Sequence, residues 1–132
     1  KITKKYGHHL LKVLSDSSQL KQVFINLILN AQQAMPQGGK LYIATKKKKD
    51  SIEVQVRDTG CGIPKEALGK VFDPFFTFKK RGIGLGLFIS HGIIEKLHGS
   101  IEIKSKEGEG TSVIVRLPIS IKKEKVIRGS TK

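Results

Sequence analysis

The stretch SSQLKQVFINLILNAQQAM at residues 17–35 defines the first long element of the chain. Its apolar side chains recur at spacings of three and four residues, which is typical of an amphipathic helix. These side chains are Leu20, Val23, Phe24, Leu27, Ala31 and Ala34. Asp16 and Gln19 have the spacing of a capping box, and Pro36 with Gly38 follows at the other end. The sequence therefore predicts a helix over residues 17–35.

A narrow polar stripe runs along this helix and consists of Asn26, Asn30 and Gln33. At about 100° per residue, the three side chains fall within roughly 60° of one another and border the apolar arc. Amides at the edge of a core need hydrogen-bond partners, and local partners are one explanation of the stripe. The other is a binding role, because amide oxygens are ligands suited to Mg²⁺.

The rest of the chain alternates between strand patterns and helix patterns. Strands are predicted at residues 8–14, 40–45, 51–57, 100–105 and 111–118, a short helix at 64–70 and a long helix at 84–97. We find no internal repeat. This order predicts an α+β fold, a two-layer α/β sandwich with a mixed, largely antiparallel sheet and helices on one face.

Composition and charge limit the classes of protein that remain. The 132 residues, 38% of them hydrophobic, are enough for one folded domain, predicted at 1–119 with a basic flexible tail at 120–132. The formal net charge of +14 comes from 25 basic and 11 acidic residues, concentrated at the chain ends and in the lysine run at residues 46–49. Aromatic residues make up only 6%, which disfavours a nucleic-acid groove. A nucleic-acid-binding module driven by charge remains a minor alternative.

Cysteine content and hydropathy give three further expectations. Cys61 is the single cysteine, so no internal disulfide can form, and a reducing, cytoplasmic setting is expected. No apolar stretch is long enough to span a membrane. The chain begins with Lys1 rather than Met, from which we expect an excised or processed piece of a longer protein.

Two glycine-rich loops carry the clearest chemical signals. In the first, residues 58–62 (DTGCG), a carboxylate at a strand end precedes glycines that allow backbone to approach a flat ligand. In the second, residues 82–86 (GIGLG), glycines open a helix whose N–H groups can bind phosphate. The spacing fits neither the dinucleotide fingerprint nor the Walker A motif, and the protein-kinase motifs are absent.

Five segments in a fixed order resemble the motifs of sensor histidine kinases. They are residues 22–31 (QVFINLILNA, the N box), 58–63 (DTGCGI, the first glycine box), 72–76 (FDPFF, the F box), 82–87 (GIGLGL, the second glycine box) and 108–118, where GEGT leads into the closing strand pair. The chain therefore resembles the catalytic and ATP-binding domain of histidine kinases, which belongs to the GHKL superfamily. The resemblance implies the Bergerat fold, with ATP and Mg²⁺ as cofactors.

The resemblance also implies a set of site residues. The nucleotide would be contacted by Asn26, Asn30, Gln33, Asp58, Gly60, Gly62, Ile63, Phe72, Phe76, Gly82, Gly84, Leu85, Gly86, Leu87 and Thr111. Asn30 would bind Mg²⁺, and Asp58 would accept a hydrogen bond from the adenine amino group. Asn26 and Lys79 would have catalytic roles, with Lys79 reaching the γ-phosphate from an ATP lid at residues 72–82.

Three positions depart from the patterns of related proteins. Asn26 stands where ATPase relatives carry a glutamate that activates water, and an amide cannot act as a general base. Ile83 and Phe78 stand where histidine kinases often have threonine. The first departure favours phosphoryl transfer over hydrolysis. The other two bear on contacts of the lid.

The implied function is transfer of the ATP γ-phosphoryl group to a histidine on a separate dimerisation domain, which then serves a response regulator. We predict that none of the four histidines is the phosphoacceptor and that this fragment is monomeric. Neither nucleic acid nor membrane contact is expected of the domain. A membrane anchor elsewhere in its bacterial parent protein is left open. A serine kinase of the anti-sigma type remains an alternative within the same superfamily.

Overall fold

The computed structural model describes residues 2–5, 18–74 and 86–118. Over these ranges the elements are β1 (Ile2–Lys5), α1 (Ser18–Gln33), β2 (Leu41–Lys47), β3 (Ser51–Asp58), a 3₁₀ helix (Lys65–Lys70), α2 (Gly86–Lys96), β4 (Ser100–Lys106) and β5 (Gly110–Pro118). The predicted α+β class is confirmed. The predicted strand at 8–14 and the tail at 120–132 lie outside the described residues.

The strands of the described chain form one sheet in the order β1-β2-β3-β5-β4. β1 pairs in parallel with β2, whereas the other neighbouring pairs are antiparallel. The mixed, largely antiparallel sheet is therefore confirmed. β5 runs antiparallel to β3, so the end of β3 meets the beginning of β5. Asp58 therefore lies directly opposite Thr111.

Three local features differ from the sequence-based expectations. β1 was not predicted, because four residues are too few to show a strand period. The turn of the first hairpin covers residues 48–50 only, since β2 continues through Lys47. Pro64 is the N-cap of the 3₁₀ helix, with φ −57° and ψ 143°, rather than its first helical residue.

Both α-helices pack on the same face of the sheet. Alternate residues of β3 and β5 are buried on that face, together with the apolar stripe of α1 and two isoleucines of α2. The members of this core include Leu20, Val23, Phe24, Leu27, Ala31, Ile52, Val54, Val56, Ile93, Ile94, Val113, Val115 and Leu117. Fully burying side chains of this size contributes about 1.5–3 kcal/mol each. The two-layer arrangement thus follows from the period of two in the strands and 3.6 in the helices.

The opposite face of the sheet carries ion pairs beside a few apolar side chains such as the buried Ile114. Arg116 donates hydrogen bonds to Glu53 at 2.8 Å and to Glu102 at 3.0 Å, one carboxylate on each neighbouring strand. The hydrogen bond to Glu102, followed by that to Glu53, raises the pKa of Arg116 above its usual value. The chain therefore separates a helix-covered apolar face from a face of paired charges.

α2 ends at Lys96, one residue before the predicted end at Leu97. His98 has a positive φ of 63°, and the Gly99 N–H donates to the Ile94 carbonyl at 2.9 Å. The His98 N–H donates to the Glu95 carbonyl at 3.0 Å, which completes a Schellman-type C-cap. The cap turns the chain directly into β4.

Candidate functional site

The polar stripe of α1 faces the first turn of α2. The Asn26 Nδ2 donates to the Gly86 carbonyl at 3.5 Å and to the Ser90 Oγ at 3.4 Å. Ser90 is fully buried, so its hydroxyl depends on protein partners rather than water. Asn26 therefore connects the two helices through long hydrogen bonds at the edge of the core.

Asn30 lies one turn further along α1, beside the same glycine. A Cβ atom on Gly86 would lie 3.8 Å from the Asn30 Nδ2 and 3.9 Å from the Asn26 Cβ. Because Gly86 has no side chain, the space between the two amides and the beginning of α2 stays open. Gln33 is exposed, about 10 Å along the axis from Asn26. The structure thus brings Asn26 and Asn30 together at α2 and leaves Gln33 outside that cluster.

Asp58 ends β3 on the helix-covered face, where its side chain is only 7% exposed. Its Oδ1 accepts a hydrogen bond from the Gly60 N–H at 2.8 Å, which orients the carboxylate at the start of the glycine loop. In the sheet register, Asp58 lies between Leu41 and Thr111. A buried carboxylate oriented in this way is a hydrogen-bond acceptor of the kind that suits an amino group of a ligand.

The first glycine loop lies between the end of α1 and the β4–β5 hairpin. A Cβ on Gly60 would overlap the Ala34 carbonyl oxygen, and the Cys61 N–H donates to that same oxygen at 3.0 Å. Gly62 has a φ of +74°, and a Cβ there would overlap the Lys106 carbonyl oxygen. Close packing against backbone on both sides therefore requires glycine at these two positions.

Ser105 holds this loop to the sheet, and sequence reasoning missed it. Its Oγ accepts the Ile63 N–H at 2.8 Å and donates to the Gly110 carbonyl at 2.9 Å. The Thr111 Oγ1 lies 2.8 Å from the same oxygen. A detectable signal was present, because Ser105 continues the helix-facing positions Ile101 and Ile103 of β4 with a hydroxyl.

Two predicted contact residues pack at α2. The Phe72 ring stacks on the ring of His91 with centroids 4.7 Å apart and an interplanar angle of 29°. Leu87 is partly buried against the core. The stacking fixes the beginning of the predicted lid segment to α2.

The remaining predicted site residues are not part of the described structure. Phe76, Lys79, Gly82, Gly84 and Leu85 lie between residues 74 and 86, outside the described ranges. Their proposed contacts stay predictions.

Comparison with known proteins matches this architecture to a family. The family model of histidine kinase-, DNA gyrase B- and HSP90-like ATPases matches residues 15–121. The chain therefore belongs to this family of ATPases. More narrowly, it is an ATP-binding catalytic domain of the histidine kinase type, as the relatives below show.

Sporulation kinase A of Bacillus subtilis (strain 168) is 41% identical over 113 residues, covering 86% of this chain and 19% of that protein. Sporulation kinase E of the same organism is 40% identical over 108 residues, covering 81% of this chain and 15% of that protein. The nucleotide-free catalytic domain of histidine kinase ThkA is 30% identical, with a TM-score of 0.73 over 89% of this chain and 79% of that one. This chain thus spans less than a fifth of the length of the two sporulation kinases.

Proposed function

We propose that this domain binds Mg-ATP in the cleft formed by α1, the first glycine loop and the beginning of α2, and transfers the γ-phosphoryl group to a histidine on a separate dimerisation domain. The observation that carries the proposal is the meeting of Asn26 and Asn30 with the first turn of α2 at Gly86. Such a cluster supplies amide groups and helix N–H groups at one place, which suits a polyphosphate.

The adenine end of the proposed cleft is the end of β3. Asp58 accepts a hydrogen bond from the adenine amino group there, and the Gly60 N–H holds its Oδ1 in place. Gly60, Gly62 and Ile63 provide backbone that can approach a flat base. Thr111 lies opposite Asp58 in the sheet and borders the same space.

The phosphate end of the proposed cleft is the beginning of α2. The unpaired N–H groups and the dipole of a helix N-terminus favour phosphate oxygens. Gly86 and Leu87 belong to that first turn. Gly82, Gly84 and Leu85 are proposed as further phosphate contacts on the resemblance alone. Lys79 is the proposed lid residue for the γ-phosphate, and Phe72 and Phe76 of the same lid are proposed nucleotide contacts.

The residues present fit a magnesium ion held largely by its nucleotide. Among the described residues there is no group of three or more His, Cys, Asp or Glu side chains that could form a metal site of their own. Mg²⁺ usually takes one or two protein ligands and completes its shell with water and substrate phosphates. Asn30 is the proposed protein ligand, and the bound ion would neutralise charge on the phosphates.

Transfer rather than hydrolysis follows from the chemistry of Asn26. Its amide cannot take a proton from water, and its Nδ2 is engaged by α2. The bound γ-phosphoryl group is therefore kept for an acceptor. A histidine acceptor agrees with the name of histidine kinase ThkA, whose catalytic domain this chain resembles. The response regulator then receives the phosphoryl group from that histidine.

The proposed setting is the cytoplasm, where ATP is supplied. None of the helices that the structure describes is long and apolar enough to cross a membrane. The alternative function, nucleic-acid binding driven by the +14 charge, predicts a DNA affinity that falls steeply with salt concentration and is unchanged by Asp58→Ala.

The decisive experiment combines nucleotide binding with acceptor labelling. Calorimetry should show Mg-ATP and ADP binding that Asp58→Ala abolishes. With radiolabelled ATP, a separately supplied histidine-bearing dimerisation domain should acquire acid-labile phosphate in trans. A serine-bearing anti-sigma antagonist protein is the comparator. Labelling of that comparator alone, or ATP hydrolysis without labelling of either protein, would contradict histidine transfer.

A further inference from the structure

We infer that Ser105 sets the hydrogen-bond polarity of Thr111 and thereby contributes to the choice of adenine over 6-oxo purines. The inference rests on the proposed function, because it takes the end of β3 as the adenine site. Ser105 acts here as a positioning residue, since it works through Thr111.

The polarity follows from counting hydrogens. A serine hydroxyl has one hydrogen to donate and two lone pairs that accept. The Gly110 carbonyl can only accept, so its 2.9 Å contact takes the Ser105 hydrogen. The Ile63 N–H uses one lone pair of Ser105 at 2.8 Å. The Thr111 Oγ1 at 2.8 Å must therefore donate its own hydrogen to Ser105.

This assignment leaves Thr111 with lone pairs only for any further partner. In the sheet register Thr111 lies opposite Asp58 on one side and opposite Ser105 on the other. Directly opposed residues have Cβ atoms about 4.5–5.5 Å apart and project from the same face. Two groups that can only accept hydrogen bonds, the Asp58 carboxylate and the Thr111 hydroxyl, thus stand side by side at the end of the sheet.

Two adjacent acceptors select a ligand that donates. The 6-amino group of adenine carries two hydrogens, whereas the 6-oxo group of hypoxanthine or guanine carries none. An unconstrained Thr111 hydroxyl could rotate and donate to an oxo group. Ser105 removes that option because it already holds the Thr111 hydrogen.

The test measures ADP and inosine diphosphate affinities by calorimetry. Inosine diphosphate differs from ADP at position 6 and in carrying a hydrogen on N1. Ser105→Ala should lower the ratio of ADP affinity to inosine diphosphate affinity by about three- to tenfold, which is the range of one hydrogen bond. Ser105→Thr keeps the hydroxyl and should keep the ratio. Ser112→Ala, the neighbouring position on β5 and on the opposite face, is the matched control and should leave both affinities unchanged.

Thr111→Val separates the polarity effect from a structural one. If Ser105 acts through Thr111, adding Ser105→Ala to Thr111→Val should change the ratio no further. A purely structural role would weaken both ligands by the same factor and leave the ratio intact, which would overturn the inference. Failure of the unaltered chain to bind ADP would instead overturn the proposed function. Should Ser105→Ala not fold, Thr111→Val alone must lower ADP affinity more than inosine diphosphate affinity.

Discussion

The side-chain amide of Asn26 in α1 donates to the backbone carbonyl of Gly86, 60 residues further along the chain, across 3.5 Å. The same amide reaches the buried Ser90 hydroxyl at 3.4 Å. One asparagine therefore joins the helix that carries the proposed magnesium ligand to the helix that carries the proposed phosphate site. This contact adds to the apolar packing that holds the two walls of the cleft together.

Removal of the Asn26 amide should cost stability as well as activity. Asn26→Ala leaves the Ser90 hydroxyl buried without its donor, so we expect a loss of about 1–2 kcal/mol in the free energy of unfolding. Urea denaturation measures this loss, and phosphotransfer should fall with it. Gln22→Ala, an exposed amide on the same helix, is the control. Equal stability of the two variants would show that the contact contributes little.

ADP binding should require the negative charge of Asp58 and not only the shape of its side chain. Asp58→Asn keeps the size of the side chain but replaces one acceptor oxygen with a donor. We expect ADP affinity to fall at least about tenfold, because hydrogen bonds to charged groups are worth about 1.5–3 kcal/mol. Asp50→Asn, an exposed carboxylate in the first hairpin, should bind like the unaltered chain. An asparagine variant at position 58 with unchanged affinity would contradict the adenine assignment.

Asn30 should matter only when magnesium is present. We expect Asn30→Ala to reduce ATP affinity about tenfold in Mg²⁺, because an oxygen ligand of the ion is lost. In EDTA the variant and the unaltered chain should bind ATP alike. Calorimetry in both buffers measures the difference. An equal loss in the two buffers would assign Asn30 to packing rather than to the metal.

Gly60 should not tolerate even a methyl group. Its Cβ would overlap the Ala34 carbonyl oxygen, and forced overlaps of this kind typically cost about 1–3 kcal/mol. We therefore expect Gly60→Ala to lower the thermal midpoint and to weaken ADP binding, since the loop must shift. Gly69→Ala is the matched control, because nothing lies within 4 Å of a Cβ there. Similar midpoints for both variants would remove the packing argument for this loop.

Local periodicity was enough to predict most of the fold. The spacing of three and four in residues 17–35 predicted α1, which the structure places at Ser18–Gln33. Alternation in residues 51–57 predicted β3, which the structure places at Ser51–Asp58. These predictions succeeded because the side-chain periods of helices (3.6 residues) and strands (2 residues) can be detected from neighbouring residues alone. The family could be recognised for the same reason, because the order and spacing of the motifs are properties of the linear sequence.

Tertiary structure decided what depends on residues distant in the sequence. β1 exists only through its pairing with β2, as four residues carry no readable period. In the sequence Ser105 is one more strand residue. In the structure it contacts Ile63, 42 positions away, together with the Gly110 carbonyl and the Thr111 hydroxyl of β5. The sequence by itself determined most of the elements, the buried stripe of α1 and the family. Only the folded chain determined the partners of each polar group. A hydrogen bond requires a donor and an acceptor at a defined distance, whereas the sequence gives the identity of each residue and not its neighbours in space.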